Sequence, residues 1–322
     1  MRVLTGIQPS GNLHLGNYFG AMKRMIALQD SCELYTMIVN LHAMTTISDG
    51  KVLKENTLLA AADYLACGLD PKKAIFWVQS DVVEVLELAW VLSNFTPMGF
   101  LERCHSYKDK TAKGIAPNHG LFAYPVLMAA DILMLQAEKI PVGKDQKQHV
   151  EFTRDVAIRF NNAYGAVFKI PEPVIDDAVA VIPGIDGQKM SKSYNNAIDI
   201  FGEPSKIKKK VMSIKTDSMG VDDSKNPDTC NVYNILKNLL TVSENAALRE
   251  RYKTGPLSYG EVKTMLFEKI QEHFTPFRQK RDEILSHRDT LKDVLHEGAR
   301  KAKEKAMPTI QKVRDVTGIA WS

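Results

Sequence analysis

"RVLTGIQPSGNLHLGNYFGA", residues 2–21, decides how the chain begins to fold. "RVLTG" is a β-rich run, and Pro9, Gly11, Gly16 and Gly20 follow in a small-residue turn that leads into a helix predicted from Gly16 to Asp30. A strand, a tight turn and a helix start bring unpaired backbone N–H groups and the positive end of the helix dipole to one point, which suits an anion such as a nucleotide phosphate. His14 and Asn17, three residues apart and so on one face, would add two side-chain donors at the same turn. Neither G-x-G-x-x-G nor G-x-x-x-x-G-K-[ST] occurs, so dinucleotide and Walker-type binding are not indicated. From these residues alone, a phosphate-receiving turn and a capped helix start with an exposed histidine both stay open.

Working outward, strands "LYTMIV" and "AIFWVQ" alternate with helices over Val52–Cys67 and Val82–Phe95. Apolar strands alternating with helices predict a doubly wound parallel sheet, which binds ligands beyond the carboxyl ends of its strands. Residues 104–120, "CHSYKDKTAKGIAPNHG", lose periodicity and read as a long basic loop. Next come a helix over Pro125–Gln136, a strand "KIPVG" and a helix over Asp145–Tyr164. Beyond residue 193 the pattern turns helical, including one long run from Ser258 to about Ile319. The expected organisation is an α/β domain over residues 1–187, an all-helical domain over 188–290, and a C-terminal helix over 291–322 that packs back toward the first domain.

Composition sets bounds. The chain has 322 residues, 44% hydrophobic and 25% charged, and 42 basic against 38 acidic residues give a net charge of +4, too weak a bias to indicate nucleic acid by itself. Cys32, Cys67, Cys104 and Cys230 are far apart and form no C-x-x-C pair, so no iron-sulfur cluster, zinc site or disulfide framework is expected and a cytoplasmic location fits. No apolar run reaches the roughly 18 residues that span a bilayer, and "MRVLTGIQPSG" has no signal-peptide character.

A second stretch matters as much as the first. "QKMSKSYNN", residues 188–196, sets Lys189 and Lys192 three apart with Ser191 and Ser193 beside them, after a glycine-rich "PGIDG". Alone, such lysines are an ordinary solvated surface. Pro9 to Asn17, however, resembles the HIGH signature of class I aminoacyl-tRNA synthetases, with His14 and Asn17 in its two histidine places, and "KMSKS" at 189–193 is similar to the second signature of that class. Within the class, "GIQPSGNLHLGNYFGA", "YPVLMAADIL" and "VGKDQKQHVEFTRD" resemble the bacterial tryptophanyl branch, from residue 3 to the C-terminus and most strongly up to about Asn196.

The resemblance implies a Rossmann-like catalytic domain, with the KMSKS loop at its junction with a helical tRNA-binding domain. It implies Mg-ATP and tryptophan as substrates, tRNA(Trp) as partner, a homodimer, no membrane, no protein-held metal and no iron-sulfur centre. His14, Asn17, Lys189, Lys192 and, in the long loop, Lys110 would stabilise phosphate charge. ATP contacts would come from Gln8, Pro9, Ser10, Gly16, Asn17, Gly143, Lys144, Asp145, Val181, Ile182 and the segment Lys189, Met190, Ser191, Lys192, Ser193. Asp145 also reads as a helix N-cap.

Asp131 sits among Met128, Ala129, Ala130, Ile132 and Leu133, and a carboxylate there is costly unless bonded. It is either paired with a neighbour or an acceptor for a ligand donor. The resemblance assigns it the indole N–H of tryptophan, with Met128 against the ring, Tyr124 and Gln146 near the α-amino group, and His42 facing the pocket. Two basic runs, "SKIKKKVMSIK" and "GARKAKEKAMPTIQKVR", are candidate RNA contacts or solvated helix faces. A tyrosyl-type synthetase, a nucleotidylyltransferase and a non-catalytic RNA-binding descendant are the competing readings.

Overall fold

The computed structural model describes residues 1–104, 118–175 and 181–321. Five parallel strands, β1 (Arg2–Ile7), β2 (Glu33–Ile38), β3 (Ile75–Val78), β4 (Lys139–Pro141) and β5 (Glu172–Val174), form one sheet in the order β3-β2-β1-β4-β5. Strands β1 and β2 run in register from Arg2 opposite Glu33 to Ile7 opposite Ile38. Alternate residues point to opposite faces, and both faces are buried. Val3, Ile7, Leu34, Ile38, Phe76 and Val78 join one apolar cluster, whereas Leu4, Tyr35, Met37 and Trp77 join the other. That two-sided burial is why these strands read as continuous apolar runs.

Helix α1 follows β1 and is irregular, with an α turn at Leu15–Asn17, a π turn at Tyr18–Met22, an α segment at Lys23–Ala27 and a 3-10 turn at Leu28–Asp30. Helix α2 (Gly50–Ala66) is capped by Asp49, which accepts from the Lys51 and Val52 N–H groups at 2.7 and 3.2 Å. Helix α3 (Glu84–Ser93) precedes α4 (His119–Met134), which Asn118 caps and which runs through Pro125 rather than starting there. The cap fixes the start, so Pro125 lies in the second turn. Helix α5 (Lys147–Tyr164) follows a 3-10 turn at Lys144–Gln146, and its cap position is held by Gln146, not by Asp145.

The helical part contains α6 (Pro204–Met212), α7 (Asn231–Leu236), α8 (Val242–Thr254), α9 (Tyr259–Ser286) and α10 (Arg288–Thr317). The expected single run from Ser258 is thus two helices, broken at His287, whose backbone is non-helical. Periodicity alone hides such a break because both helices keep an apolar stripe.

Contacts from both long helices tie the helical part to the rest of the molecule. On α10, a Cβ built at Gly298 would stand 1.7 Å from the Phe76 carbonyl oxygen, so the helix backbone lies directly on β3. On α9, Arg278 Nε donates to the Ile200 carbonyl at 2.7 Å, while Arg281 Nε bonds Asp63 of α2 at 2.5 Å and its guanidinium lies over the Phe201 ring. Asp63 is buried, and burial pushes its carboxyl up to about 6 while Arg281 pulls the other way.

Candidate active site at the carboxyl edge of the sheet

Strands β1, β2, β3 and β4 end at Ile7, Ile38, Val78 and Pro141, so Gln8 to Asn17, the short helix Asn40–Ala43, Gln79 and the Gly143 to Gln146 turn all leave the same edge. The strand order reverses between β1 and β4, and that switch point is where doubly wound sheets hold ligands.

At the β1 end, the two signature stretches touch. Lys192 Nζ donates to the Ser10 carbonyl at 2.9 Å, and the Gly16 N–H meets Met190 Sδ at 3.3 Å. A Cβ at Gly16 would crowd the His14 ring at 3.0 Å and Met190 at 3.1 Å, so a side chain there would have to push both aside. Gly11, at φ +85°, supplies the left-handed turn before them.

His14 and Asn17 form a capping box. The His14 Nδ1 accepts from the Asn17 N–H at 3.2 Å and the His14 N–H donates to Asn17 Oδ1 at 3.3 Å. Their roles as donors are therefore narrower than the sequence suggested. With Nδ1 accepting, the neutral imidazole carries its proton on Nε2, the one ring donor left for a ligand. Burial lowers the His14 pKa from 6.5 to about 4, and the Lys192 charge adds to the shift, so the ring is neutral near pH 7. Desolvation lowers Lys192 as well, opposed by Asp199 and Asp63.

The KMSKS segment is held from behind by buried Asn196. Its Oδ1 accepts from the Ser191 N–H at 2.8 Å and its Nδ2 donates to Asp186 at 2.9 Å and to the Lys189 carbonyl at 3.1 Å. The Met190 N–H bonds the Ile182 carbonyl at 2.9 Å, Ser191 and Ser193 hydroxyls pair at 2.8 Å, and Lys189 is exposed. Downstream, the Leu15 N–H bonds the Ile198 carbonyl and the Ile200 N–H bonds the Leu13 carbonyl, both at 3.0 Å. A cationic segment is thus laced to the phosphate-type turn on both sides.

At the β2 and β3 end, Asp131 of α4 is fully buried and bonded. Gln79 Nε2 donates to both its oxygens, at 3.0 and 2.8 Å, and His42 Nε2 lies 2.9 Å from Oδ2. Tyr124 stands edge-on to His42, with ring centroids 6.0 Å apart, and its hydroxyl meets His149 Nε2 at 2.7 Å. A cavity of about 520 Å³ opens beside His42 and Tyr124, walled by Met44, Leu86, Trp90 and Leu127.

The remaining expected residues are spread around these two ends. Gln8, Gly143 and Lys144 are exposed at the strand edge, Pro9 is buried, Met128 and Gln146 are half-buried, Ile182 is buried and Val181 is 64% exposed. Lys110 and the side chain of Asp145 lie outside the described residues. Sequence reasoning missed Gln79, Asn196 and His149. A polar residue ending the apolar run "IFWVQ" was the available signal for Gln79. Among the described residues, no group of three or more His, Cys, Asp or Glu side chains could hold a metal, and all four cysteines are free.

A parallel sheet whose switch point gathers a neutral histidine, a glycine turn and a lysine loop defines a nucleotide-using enzyme of the class I synthetase type. The chain belongs to the tRNA synthetases class I (W and Y), whose family model matches residues 1–275. It is 50% identical over 319 residues to the tryptophan–tRNA ligase of Campylobacter jejuni, covering 99% of this chain and 100% of that protein, and 50% identical to that of Fusobacterium nucleatum, covering 99% and 98%. The crystal structure of tryptophanyl-tRNA synthetase from Campylobacter jejuni complexed with ADP and tryptophan superposes with a TM-score of 0.95 at 51% identity, over 99% of this chain and all of that one.

Proposed function

We propose that this chain joins tryptophan to its tRNA in two steps at the edge of the sheet. ATP and tryptophan give tryptophanyl-adenylate and pyrophosphate, and the tryptophanyl group then passes to the terminal adenosine of tRNA(Trp). The observation that carries the reading is the Lys192 bond to the Ser10 carbonyl, because it brings a lysine of the second signature onto the turn of the first.

The first step needs no general base, since the amino-acid carboxylate is ionised at neutral pH and attacks the α-phosphorus in line. Catalysis then reduces to position and charge. In this reading the His14 Nε2–H and the Asn17 amide hold phosphate oxygens, while Lys189 and Lys192 neutralise the leaving pyrophosphate, with Lys110 as a further cation. Gln8, Pro9, Ser10, Gly16, Gly143, Lys144, Asp145, Val181, Ile182 and the KMSKS backbone line the nucleotide, and Mg2+ rides on its phosphates. Asp131 accepts the indole N–H beside Met128 and His42, and Tyr124 and Gln146 serve the α-amino group.

The helical part after residue 188 would carry the tRNA, and a homodimer is supported by the exposed apolar side chains Val83, Leu86, Trp90 and Met98 on and around α3. No helix among the described residues is long and apolar enough to cross a membrane, and work in the cytoplasm fits the free cysteines. The direct test is tryptophan-dependent charging of tRNA(Trp) by the wild type and by Lys192→Ala. Charging slowed by roughly 10² to 10³ in the substituted chain is expected, and unchanged charging would refute the lysine's role.

A further inference from the structure

Gln79 is 1% exposed and belongs to none of the signature stretches, yet it touches two of the elements that meet at the amino-acid end of the site. Its Oε1 accepts from the Leu41 N–H at 3.2 Å, and its Nε2 donates to both oxygens of Asp131. These partners leave the amide a single orientation. A backbone N–H can only donate and a carboxylate can only accept, so a flipped amide would lose both ends at once.

The consequence falls on Asp131. Its carboxylate sits on α4, is fully buried, and would otherwise turn about its own side-chain bonds. The Gln79 fork and His42 fix its plane, with two contacts on Oδ2 and one on Oδ1. A carboxylate oxygen accepts two hydrogen bonds, so Oδ1 keeps one acceptor position.

We propose that Gln79 is a positioning residue for amino-acid selection: it pins the Asp131 carboxylate so that this last acceptor position is presented in one direction to a ring N–H. The proposal rests on the reading of Asp131 as the indole acceptor. It adds that the selection is set from the end of β3, by a side chain that does not touch the substrate.

The test compares tryptophan with β-(3-benzothienyl)alanine, which has the same shape with sulfur in place of the ring N–H. Activation of each is measured by ATP–pyrophosphate exchange in the wild type, in Q79M and in Q79E. The wild type should prefer tryptophan. In Q79M the tryptophan kcat/KM should fall about 10- to 100-fold, the worth of a hydrogen bond to a charged group, with the ATP KM unchanged and the analogue little affected.

While its carboxyl is protonated, Q79E keeps the side-chain shape and the acceptor for Leu41, which guards against simple misfolding at low pH, and an unchanged ATP KM makes the same check as pH rises. The introduced carboxyl can donate to Asp131 only while protonated, so the preference for tryptophan should be held at low pH and lost as pH rises. A wild type that prefers tryptophan alongside variants that keep the whole preference at every pH would overturn the role of Gln79 and leave Asp131 standing. A wild type without preference would overturn the Asp131 reading and this proposal with it.

Discussion

Lys192 and His14 act on one another through the turn at residues 10–16, and each has its own measurable signature. Removing one preorganised donor from a charge-stabilising site costs roughly 10² to 10³ in rate, so Lys192→Ala should slow single-turnover adenylate formation by that order. Unchanged single-turnover chemistry would remove Lys192 from the mechanism. His14 titrates near 4 in the folded chain against 6.5 as a free imidazole. Between those values the unfolded chain binds a proton that the native one refuses, so this residue makes stability rise with pH from about 4 to about 6.5 and leaves it flat outside that window. Urea unfolding of the wild type and His14→Asn across pH 4 to 7 should show that slope in the difference between the two stabilities, because asparagine keeps the cap without the titration while groups such as Asp63 titrate in both chains. Asp131 stood out in the sequence as a carboxylate in an apolar run, whereas the histidine turn and the lysine loop took a definite reading only through their resemblance to the two class I signatures. Gln79 and Asn196 did not stand out, since a neutral amide shows its worth only when its partners, 52 residues away for Gln79 and Asp131, are brought to it.

Helices α9 and α10 are the elements that fasten the helical half to the sheet. Arg281→Met would leave Asp63 buried without its cation, and breaking a buried pair this way costs about 3 to 5 kcal/mol. The loss should appear in chemical denaturation and be largely recovered by Asp63→Asn in the same chain. Gly298→Ala sets a methyl group against the Phe76 carbonyl, a backbone atom that no rotamer change can clear. Overpacking typically costs about 1 to 3 kcal/mol, and thermal unfolding should show at least that. Helix α10 also explains the second basic run. Lys303 and Lys305 pair with Glu84 and Glu33, Arg300 pairs with Glu297 and Glu304, and Lys312 bonds the Ala166 carbonyl, so much of its charge is spent inside the molecule. In the first run, by contrast, Lys210 caps the KMSKS turn through Asn195. Strand β5 escaped the sequence reading because it has three residues with Pro173 at its centre, which mimics a loop and is tolerated only at an edge. Neither glycine nor proline marks the break at His287, and in the sequence only the expected division at 290/291 lies near it.

Across the whole molecule, the order of strands and the position of both signatures follow from one topology: four strand ends release polar residues along one edge, and the KMSKS segment that leads into the helical part is bonded to the turn at the first of them. The α/β alternation was readable because buried parallel strands are apolar on both faces; how far the helices reach back over the sheet was not, because it depends on contacts such as Gly298 with Phe76 that join distant residues. The apolar face on α3 belongs to this scale too. Trp90 is 76% exposed beside Leu86 and Val83, and Trp90→Glu should shift a dimer toward monomer in light scattering at micromolar concentration. A wild type that is monomeric would remove the dimer from the account. The central claim is that the Asp131 end selects the amino acid and the Lys192 end activates it against ATP. ATP–pyrophosphate exchange measured with each of the twenty amino acids tests this most directly. Exchange with tryptophan alone is the predicted result, and exchange with tyrosine instead, or with none of the twenty, would contradict it.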